Sequence, residues 1–127
     1  MAVPCPHVLV VDDSRIILLV VTRILTSCSV RVTAVEGPEE ALKFLDEENH
    51  VDLILTDYSM PNMTGYDLLM KVKESPMLKH LPVVVSSTED SPDIIKKCME
   101  GGAKDFIVKP LTVTDVPRVL SHIGEIE

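Results

Sequence analysis

Three groups of charged residues, far apart in the sequence, carry the chemistry that this chain offers. Asp12 and Asp13 follow one apolar run, Asp57 follows a second, and Lys109 follows a third and precedes Pro110. A carboxylate can attack phosphorus and form an aspartyl phosphate. Magnesium is commonly held by one or two carboxylates together with a phosphate. Three carboxylates and one ammonium would therefore form a small site for a divalent cation and a phosphoryl group.

The apolar runs before these groups indicate where the groups would meet. Each run has the length and the composition of a buried parallel strand, so each charged group falls at the carboxyl end of a strand. The three runs cover residues 7–11, 51–56 and 105–108. Ligands bind at the carboxyl edge of an open parallel sheet. We therefore predict the site at that edge.

The whole chain is patterned for a doubly wound α/β fold, because apolar β-branched runs alternate five times with amphipathic stretches. The predicted strands cover residues 7–11, 31–35, 51–56, 82–86 and 105–108. The predicted helices cover residues 14–27, 38–47, 65–74, 92–101 and 112–122. Five such units can wind to a strand order of 2-1-3-4-5, which opens a crevice between the carboxyl ends of strands 1 and 3.

Composition limits the classes of function. The 127 residues fit a single domain over 1–127, with no room for an output domain of ordinary size. A net charge of −8, 3% aromatic residues and no Trp argue against direct binding of nucleic acid. The sequence shows neither a secretory signal nor an apolar stretch of about 20 residues, and its three cysteines are widely spaced. We expect a soluble protein of the cytoplasm, the nucleus or both, without membrane contact.

Each charged group also has a simpler interpretation. Asp13 or Ser14 would cap the following helix, Asp57 would form a turn, and Lys109 would be a solvated surface charge. Each of these alternatives is favoured when its group is considered alone. Only the joint pattern favours a site, because caps and turns do not require these residues at the carboxyl ends of strands in one sheet.

A fuller pattern surrounds the charged groups. It reads Asp12-Asp13, Asp57-Tyr58-Ser59-Met60-Pro61-Asn62-Met63-Thr64-Gly65, Ser87 and Lys109-Pro110. With these motifs, essentially the whole chain resembles the receiver domain of two-component response regulators. Three further segments are similar to the plant type-A regulators of cytokinin signalling. They are Leu55-Thr56-Asp57-Tyr58, Met63-Thr64-Gly65-Tyr66 and Lys73-Glu74-Ser75.

The resemblance implies a flavodoxin-like receiver fold with five helices and a role for each residue of the site. Asp57 would accept a phosphoryl group from a phosphohistidine. Asp12 and Asp13 would hold Mg²⁺, with the Asp57 carboxylate and the Ser59 backbone carbonyl as further ligands. Lys109 would pair with the phosphoryl oxygens. The expected partners are a histidine-containing phosphotransfer protein or a histidine kinase, and we expect a monomer.

The resemblance also implies a switch. Among the three hydroxyl residues 86–88, alignment to the family selects Ser87 as the residue that would donate to a phosphoryl oxygen. Phe106 occupies the position of a rotating aromatic residue, which is often Tyr in the family. Because Phe has no hydroxyl, coupling through a phenolic hydrogen bond is excluded. A static core ring is the alternative for Phe106.

The first predicted helix carries more apolar residues than one buried face requires. Its predicted buried stripe consists of Ile17, Val20, Val21, Ile24 and Cys28. Leu19 would then point away from the sheet, and Leu18 would lie toward the edge of the stripe. We hypothesise that Leu18 and Leu19 dock a helical phosphotransfer partner, because the phosphohistidine must approach from this side. Scattered surface leucines, which are common, are the alternative.

These features favour a stand-alone phosphoacceptor that catalyses only its own phosphorylation and dephosphorylation. A phosphatase with an aspartate nucleophile normally has a second Asp two residues later, where this chain has Ser59. A flavin-binding module of the same winding would need a Ser/Thr/Gly-rich phosphate loop after strand 1, where this chain has an acidic pair. The sequence leaves open whether phosphorylation recruits an effector, passes the phosphoryl group onward, or draws it away from a competing acceptor.

Overall fold

The computed structural model describes residues 5–47 and 49–124, which form a parallel sheet with helices packed on both faces. The strands are β1 (His7–Val11), β2 (Arg31–Val35), β3 (Leu53–Asp57), β4 (Val83–Ser87) and β5 (Asp105–Val108). Their order is β2-β1-β3-β4-β5, and every neighbouring pair is parallel. The predicted fold class and strand order are therefore confirmed.

Helices connect the strands, and local sequence explains where they begin. They are α1 (Arg15–Ser27), α2 (Pro38–Asp46), α3 (Gly65–Glu74), α4 (Pro92–Glu100) and α5 (Val116–Leu120). The Ser14 side chain accepts a hydrogen bond from the Ile17 N–H and caps α1. Thr64 and Asp67 form a reciprocal capping box at the start of α3. Within the described ranges, no helix combines the length and apolar character that crossing a membrane requires.

Two strands extend one residue further than predicted at the edge that carries the site. Asp57 is the last residue of β3, and Ser87 is the last residue of β4. The Tyr58 N–H donates to the Ser86 carbonyl at 2.8 Å, so backbone pairing continues past the apolar residues that defined the sequence pattern. Asp57 and Ser87 are therefore positioned by strand backbone and not by a loop.

The last helix is shorter than the predicted span 112–122. A 3₁₀ turn covers Val113–Asp115 before α5 begins. Pro117 has no N–H to donate to the preceding turn. The Asp115 N–H donates to the Thr112 carbonyl three residues back, which is the hydrogen bond of a 3₁₀ turn. The pattern of apolar residues does not register this change of helix type.

The buried face of α1 is rotated relative to the predicted stripe. Leu18, Val21 and Leu25 are buried, whereas Val20 is 47% exposed. Leu18 is only 7% exposed and belongs to the core between α1, α5 and the sheet, so its assignment to a docking surface is wrong. Residues 16–21 are all apolar. Periodicity therefore does not define which of them faces the sheet.

Candidate functional site

The three predicted carboxylates meet at the carboxyl edge of the sheet. Asp12 and Asp13 directly follow β1, and Asp57 ends the neighbouring strand β3. One carboxylate oxygen from each residue lies within 4.8 Å of those from the other two. Asp12 and Asp57 are buried, and Asp13 is exposed. The structure thus brings together residues that are 45 positions apart because β1 and β3 are adjacent at the reversal of winding.

Lys109, which directly follows β5, joins this cluster. Its Nζ atom lies 2.7 Å from Asp12 Oδ2 and 3.0 Å from Asp57 Oδ1. The Lys109 N–H donates to the Ser87 carbonyl at 2.8 Å, which ties its backbone to β4. The peptide bond between Lys109 and Pro110 is cis. The ammonium is therefore held between two carboxylates and bridges the carboxyl edge of the sheet.

The electrostatics of the cluster favour a cationic ligand. Burial raises the pKa of Asp57; the hydrogen bond from Lys109 opposes this shift, and the negative charge of Asp12 adds to it. Burial lowers the pKa of Lys109, but hydrogen bonds to Asp12 and Asp57 outweigh this effect, so the pKa is raised. Three carboxylates and one ammonium leave an excess of negative charge. A divalent cation would neutralise that excess.

The available oxygen atoms fit Mg²⁺. Asp12 Oδ1 accepts from the Ser14 N–H at 2.9 Å and Oδ2 accepts from Lys109, so this carboxylate is already engaged. Asp13 is exposed, and among the described residues the second oxygen of Asp57 accepts no hydrogen bond. Mg²⁺ usually takes one or two carboxylates and keeps several waters, which matches two open carboxylates and a third within reach. Ser59 lies two residues beyond Asp57, and the role of its carbonyl stays a prediction.

The predicted switch residues lie on β4 and β5. Ser87 is 2% exposed, and its Oγ accepts a hydrogen bond from the Glu89 N–H at 3.0 Å. Phe106 is buried in the core that includes α3 and α4. The Cα partner of Asp57 in the sheet is Ser86, not Ser87. The switching roles of Ser87 and Phe106 stay predictions.

Gly65 makes a close backbone contact that the sequence motif did not reveal. A Cβ atom at this position would lie 2.4 Å from the Asp57 carbonyl oxygen and 3.0 Å from Tyr58 Cα. The Gly65 N–H also donates to the Tyr58 carbonyl at 2.8 Å. The first residue of α3 is therefore packed directly against the backbone at the end of β3, where only glycine fits.

The exposed apolar residues of α1 lie on the helix that follows the acidic pair. Leu19 is 54% exposed, and Ile16 and Val20 are also exposed. Leu19 is thus accessible to a partner protein, as the docking hypothesis requires. Docking itself stays a prediction.

Comparison with known families identifies the class of protein that this fold and site define. Residues 8–121 match the family model described as the response regulator receiver domain. The chain therefore belongs to the response regulator receiver family, and the predicted resemblance is confirmed.

Plant regulators are among its relatives. The chain is 56% identical over 118 residues to the two-component response regulator ORR8 of Oryza sativa subsp. indica. That match covers 93% of this chain and 98% of the relative. ORR12 of Oryza sativa subsp. japonica is similar at the same identity and coverage.

Solved receiver structures share the fold. The chemotaxis protein CheY4 of Vibrio cholerae is similar with a TM-score of 0.85 and 28% identity, covering 94% of this chain and 98% of that chain. A chain of the CheX–CheY–BeF₃–Mg²⁺ complex from Borrelia burgdorferi is similar with a TM-score of 0.82 and 34% identity. It covers 91% of this chain and 87% of that chain.

Proposed function

We propose that this receiver accepts a phosphoryl group on Asp57 from a phosphohistidine donor and uses Mg²⁺ in that transfer. One observation carries the proposal. A buried carboxylate at the end of β3 lies 3.0 Å from a lysine ammonium and within 4.8 Å of two further carboxylates. A nucleophile, a cationic partner for phosphoryl oxygens and ligands for a divalent cation therefore share one crevice.

The transfer requires little more than position and charge neutralisation. An ionised Asp57 oxygen attacks phosphorus, the bond from phosphorus to the histidine nitrogen breaks, and the nitrogen keeps the bonding electron pair. Lys109 already contacts Asp57 and would pair with an oxygen of the transferred group. Asp12 and Asp13 would hold Mg²⁺, which when bound neutralises phosphoryl charge. Hydrolysis of the aspartyl phosphate restores the carboxylate.

The site is suited to self-modification and not to turnover of an external metabolite. Ser59 occupies the position where an aspartate-nucleophile phosphatase has its acid/base carboxylate. A serine hydroxyl does not protonate a leaving group at neutral pH as a carboxyl group can. We therefore propose that the protein catalyses only its own phosphorylation and dephosphorylation.

The decisive experiment measures Mg²⁺-dependent phosphorylation from acetyl phosphate and from candidate phosphotransfer proteins. Asp57→Asn is compared with Asp46→Asn, which changes an exposed carboxylate at the end of α2. We expect labelling of the wild type and the Asp46 variant only. Equal labelling of Asp57→Asn would refute the acceptor assignment, and normal labelling without divalent cation would refute the role of the acidic cluster.

The proposed donor is a histidine-containing phosphotransfer protein or a histidine kinase that docks on Leu19. Leu19→Asp is expected to slow transfer from the protein donor without changing phosphorylation by acetyl phosphate, because it alters docking and not chemistry. Met77→Asp is the matched control, since Met77 is exposed between α3 and β4. An unchanged rate of transfer in the Leu19 variant would end the docking hypothesis.

The proposed setting is cytokinin-type signalling by a monomeric receiver in the cytoplasm, the nucleus or both. Similarity to rice response regulators supports the signalling class. The net charge of −8 supports function without direct binding of nucleic acid. Pulse-labelled protein, mixed with unlabelled phosphotransfer protein, would distinguish onward transfer of the phosphoryl group from retention followed by hydrolysis.

A further inference from the structure

Thr56 is a fully buried hydroxyl residue in the strand that ends at Asp57. Its Cα partners on the two neighbouring strands are the apolar residues Val11 and Val85. Burying a hydroxyl is unfavourable unless it makes a hydrogen bond. The Thr56 hydroxyl makes that bond with the next residue, because it donates to the Asp57 carbonyl at 3.0 Å.

The peptide unit that joins Asp57 to Tyr58 is held at both of its polar groups. Its carbonyl, which belongs to Asp57, accepts the hydrogen bond from the Thr56 hydroxyl. Its N–H, which belongs to Tyr58, donates to the Ser86 carbonyl at 2.8 Å. A peptide unit is planar, so hydrogen bonds at its two opposite edges fix its rotation. The direction in which the chain leaves the Asp57 Cα atom is therefore set.

Thr56 holds this peptide from the face of the sheet opposite to the Asp57 side chain. Successive side chains of a strand point to opposite faces, so Thr56 shares its face with Ile54 and not with Asp57. Ile54 belongs to the same core cluster as Leu68 of α3. Gly65, the first residue of α3, approaches the same Asp57 carbonyl closely. The Thr56 hydroxyl thus acts on the backbone of Asp57 without contacting a ligand in the crevice.

We propose that Thr56 is a positioning residue for Asp57, because its hydroxyl holds the peptide that orients the carboxylate toward Lys109. The inference rests on the proposed function, since it concerns the same acceptor. Rotation of this peptide would displace the Asp57 carboxylate from its 3.0 Å contact with Lys109. A displacement of about 1 Å can cost about 100-fold in the rate of a positioned reaction. Asp57 is also a predicted Mg²⁺ ligand, so affinity for the ion should depend on the same hydrogen bond.

Substitutions at Thr56 separate the hydroxyl from the shape of the side chain. Thr56→Val keeps the shape and loses the hydroxyl, Thr56→Ser keeps the hydroxyl and loses the methyl group, and Thr56→Ala loses both. The phosphorylation rate is measured at saturating acetyl phosphate and Mg²⁺. We expect the Val and Ala variants to be slowed about 5- to 10-fold, the factor that one net hydrogen bond of about 1–1.4 kcal/mol provides, and the Ser variant to stay within about twofold of wild type. Thr33→Val is the matched control and should keep the wild-type rate, because it removes a strand hydroxyl that contacts the His7 ring.

A role of Thr56 in packing alone predicts a different order, since Val fills the site and Ser leaves a void. A wild-type rate in Thr56→Val, or equal rates in Thr56→Val and Thr56→Ser, would therefore overturn the inference while leaving the acceptor assignment intact. Mg²⁺ affinity, followed by the amide chemical shifts of the ¹⁵N-labelled proteins, is a second measurement that needs no phosphoryl transfer. We expect weaker binding of Mg²⁺ in the Val and Ala variants only. That pattern in a protein that is never phosphorylated would support the positioning role and refute the proposed function alone.

Discussion

Gly65→Ala tests whether the start of α3 positions Asp57, the proposed phosphoryl acceptor. The added Cβ would lie 2.4 Å from the Asp57 carbonyl oxygen and 3.0 Å from Tyr58 Cα, and both are backbone atoms. Ordinary contacts begin near 3.4 Å. Either α3 or the end of β3 must therefore shift by about 1 Å, because neither neighbour can rotate away as a side chain would.

Two opposing effects determine the stability of this variant. Alanine is favoured over glycine in a helix by about 0.5–1 kcal/mol. Forcing an extra carbon into a packed site costs about 1–3 kcal/mol. We expect the free energy of unfolding to fall by about 1–2 kcal/mol. A misplacement of about 1 Å can reduce the rate of a positioned reaction about 100-fold, so we expect phosphorylation to slow by about 10- to 100-fold.

The assay compares phosphorylation rates at saturating Mg²⁺ with stability from urea unfolding. Gly101→Ala is the control, because its Cβ would meet Met70 Cε at 2.7 Å, the flexible end of a side chain. We expect that variant to keep the wild-type rate. A folded Gly65→Ala protein with a rate within about twofold of wild type would refute the positioning role, and equal slowing in both variants would assign the effect to general destabilisation.

Three further predictions concern stability, each measured by urea unfolding. Burial and the charge of neighbouring carboxylates raise the pKa of Asp57, so its ionisation destabilises the fold as pH rises above the usual value of 3.8. Asp57→Asn should therefore stabilise the metal-free protein at pH 7 and give no gain well below pH 3.8; a loss at pH 7 would contradict this. Burial raises the pKa of Asp105, but hydrogen bonds from Arg118 and His122 outweigh it and lower the pKa to about 2. Asp105→Asn should cost about 2 kcal/mol at pH 7. That difference should shrink as pH falls from about 4 toward 2, and a cost that persists at pH 2 would exclude the ionic cause. Ser29 adopts φ 63° in the left-handed region, so Ser29→Gly should stabilise by about 0.5 kcal/mol after the entropy cost of glycine is subtracted; destabilisation would show that the strain is negligible.

The charged residues of the site could be predicted from the sequence because the end of a buried strand is visible in it. The sequence of a strand that is buried on both faces is a continuous run of β-branched residues. The polar residue that ends the run lies at the edge of the sheet. Asp12, Asp57 and Lys109 each follow such a run. Their convergence followed from the right-handed crossovers and short connections that allow few windings.

Other features depended on neighbours that are distant in the sequence. Leu18 and Val20 are equally apolar, and only packing against the sheet and α5 buries the first and exposes the second. The exact ends of β3 and β4 were set by backbone pairing between Tyr58 and Ser86, which no side-chain pattern records.

By itself, the sequence determined the class of fold, the strand order and the identity of the charged residues, because burial and strand-end position leave a local signature. Only the tertiary structure decided the distances between those residues and the close approach of Gly65 to Asp57. These distances depend on how separate elements pack against one another to within about 1 Å. Packing of that precision exists only in the assembled core.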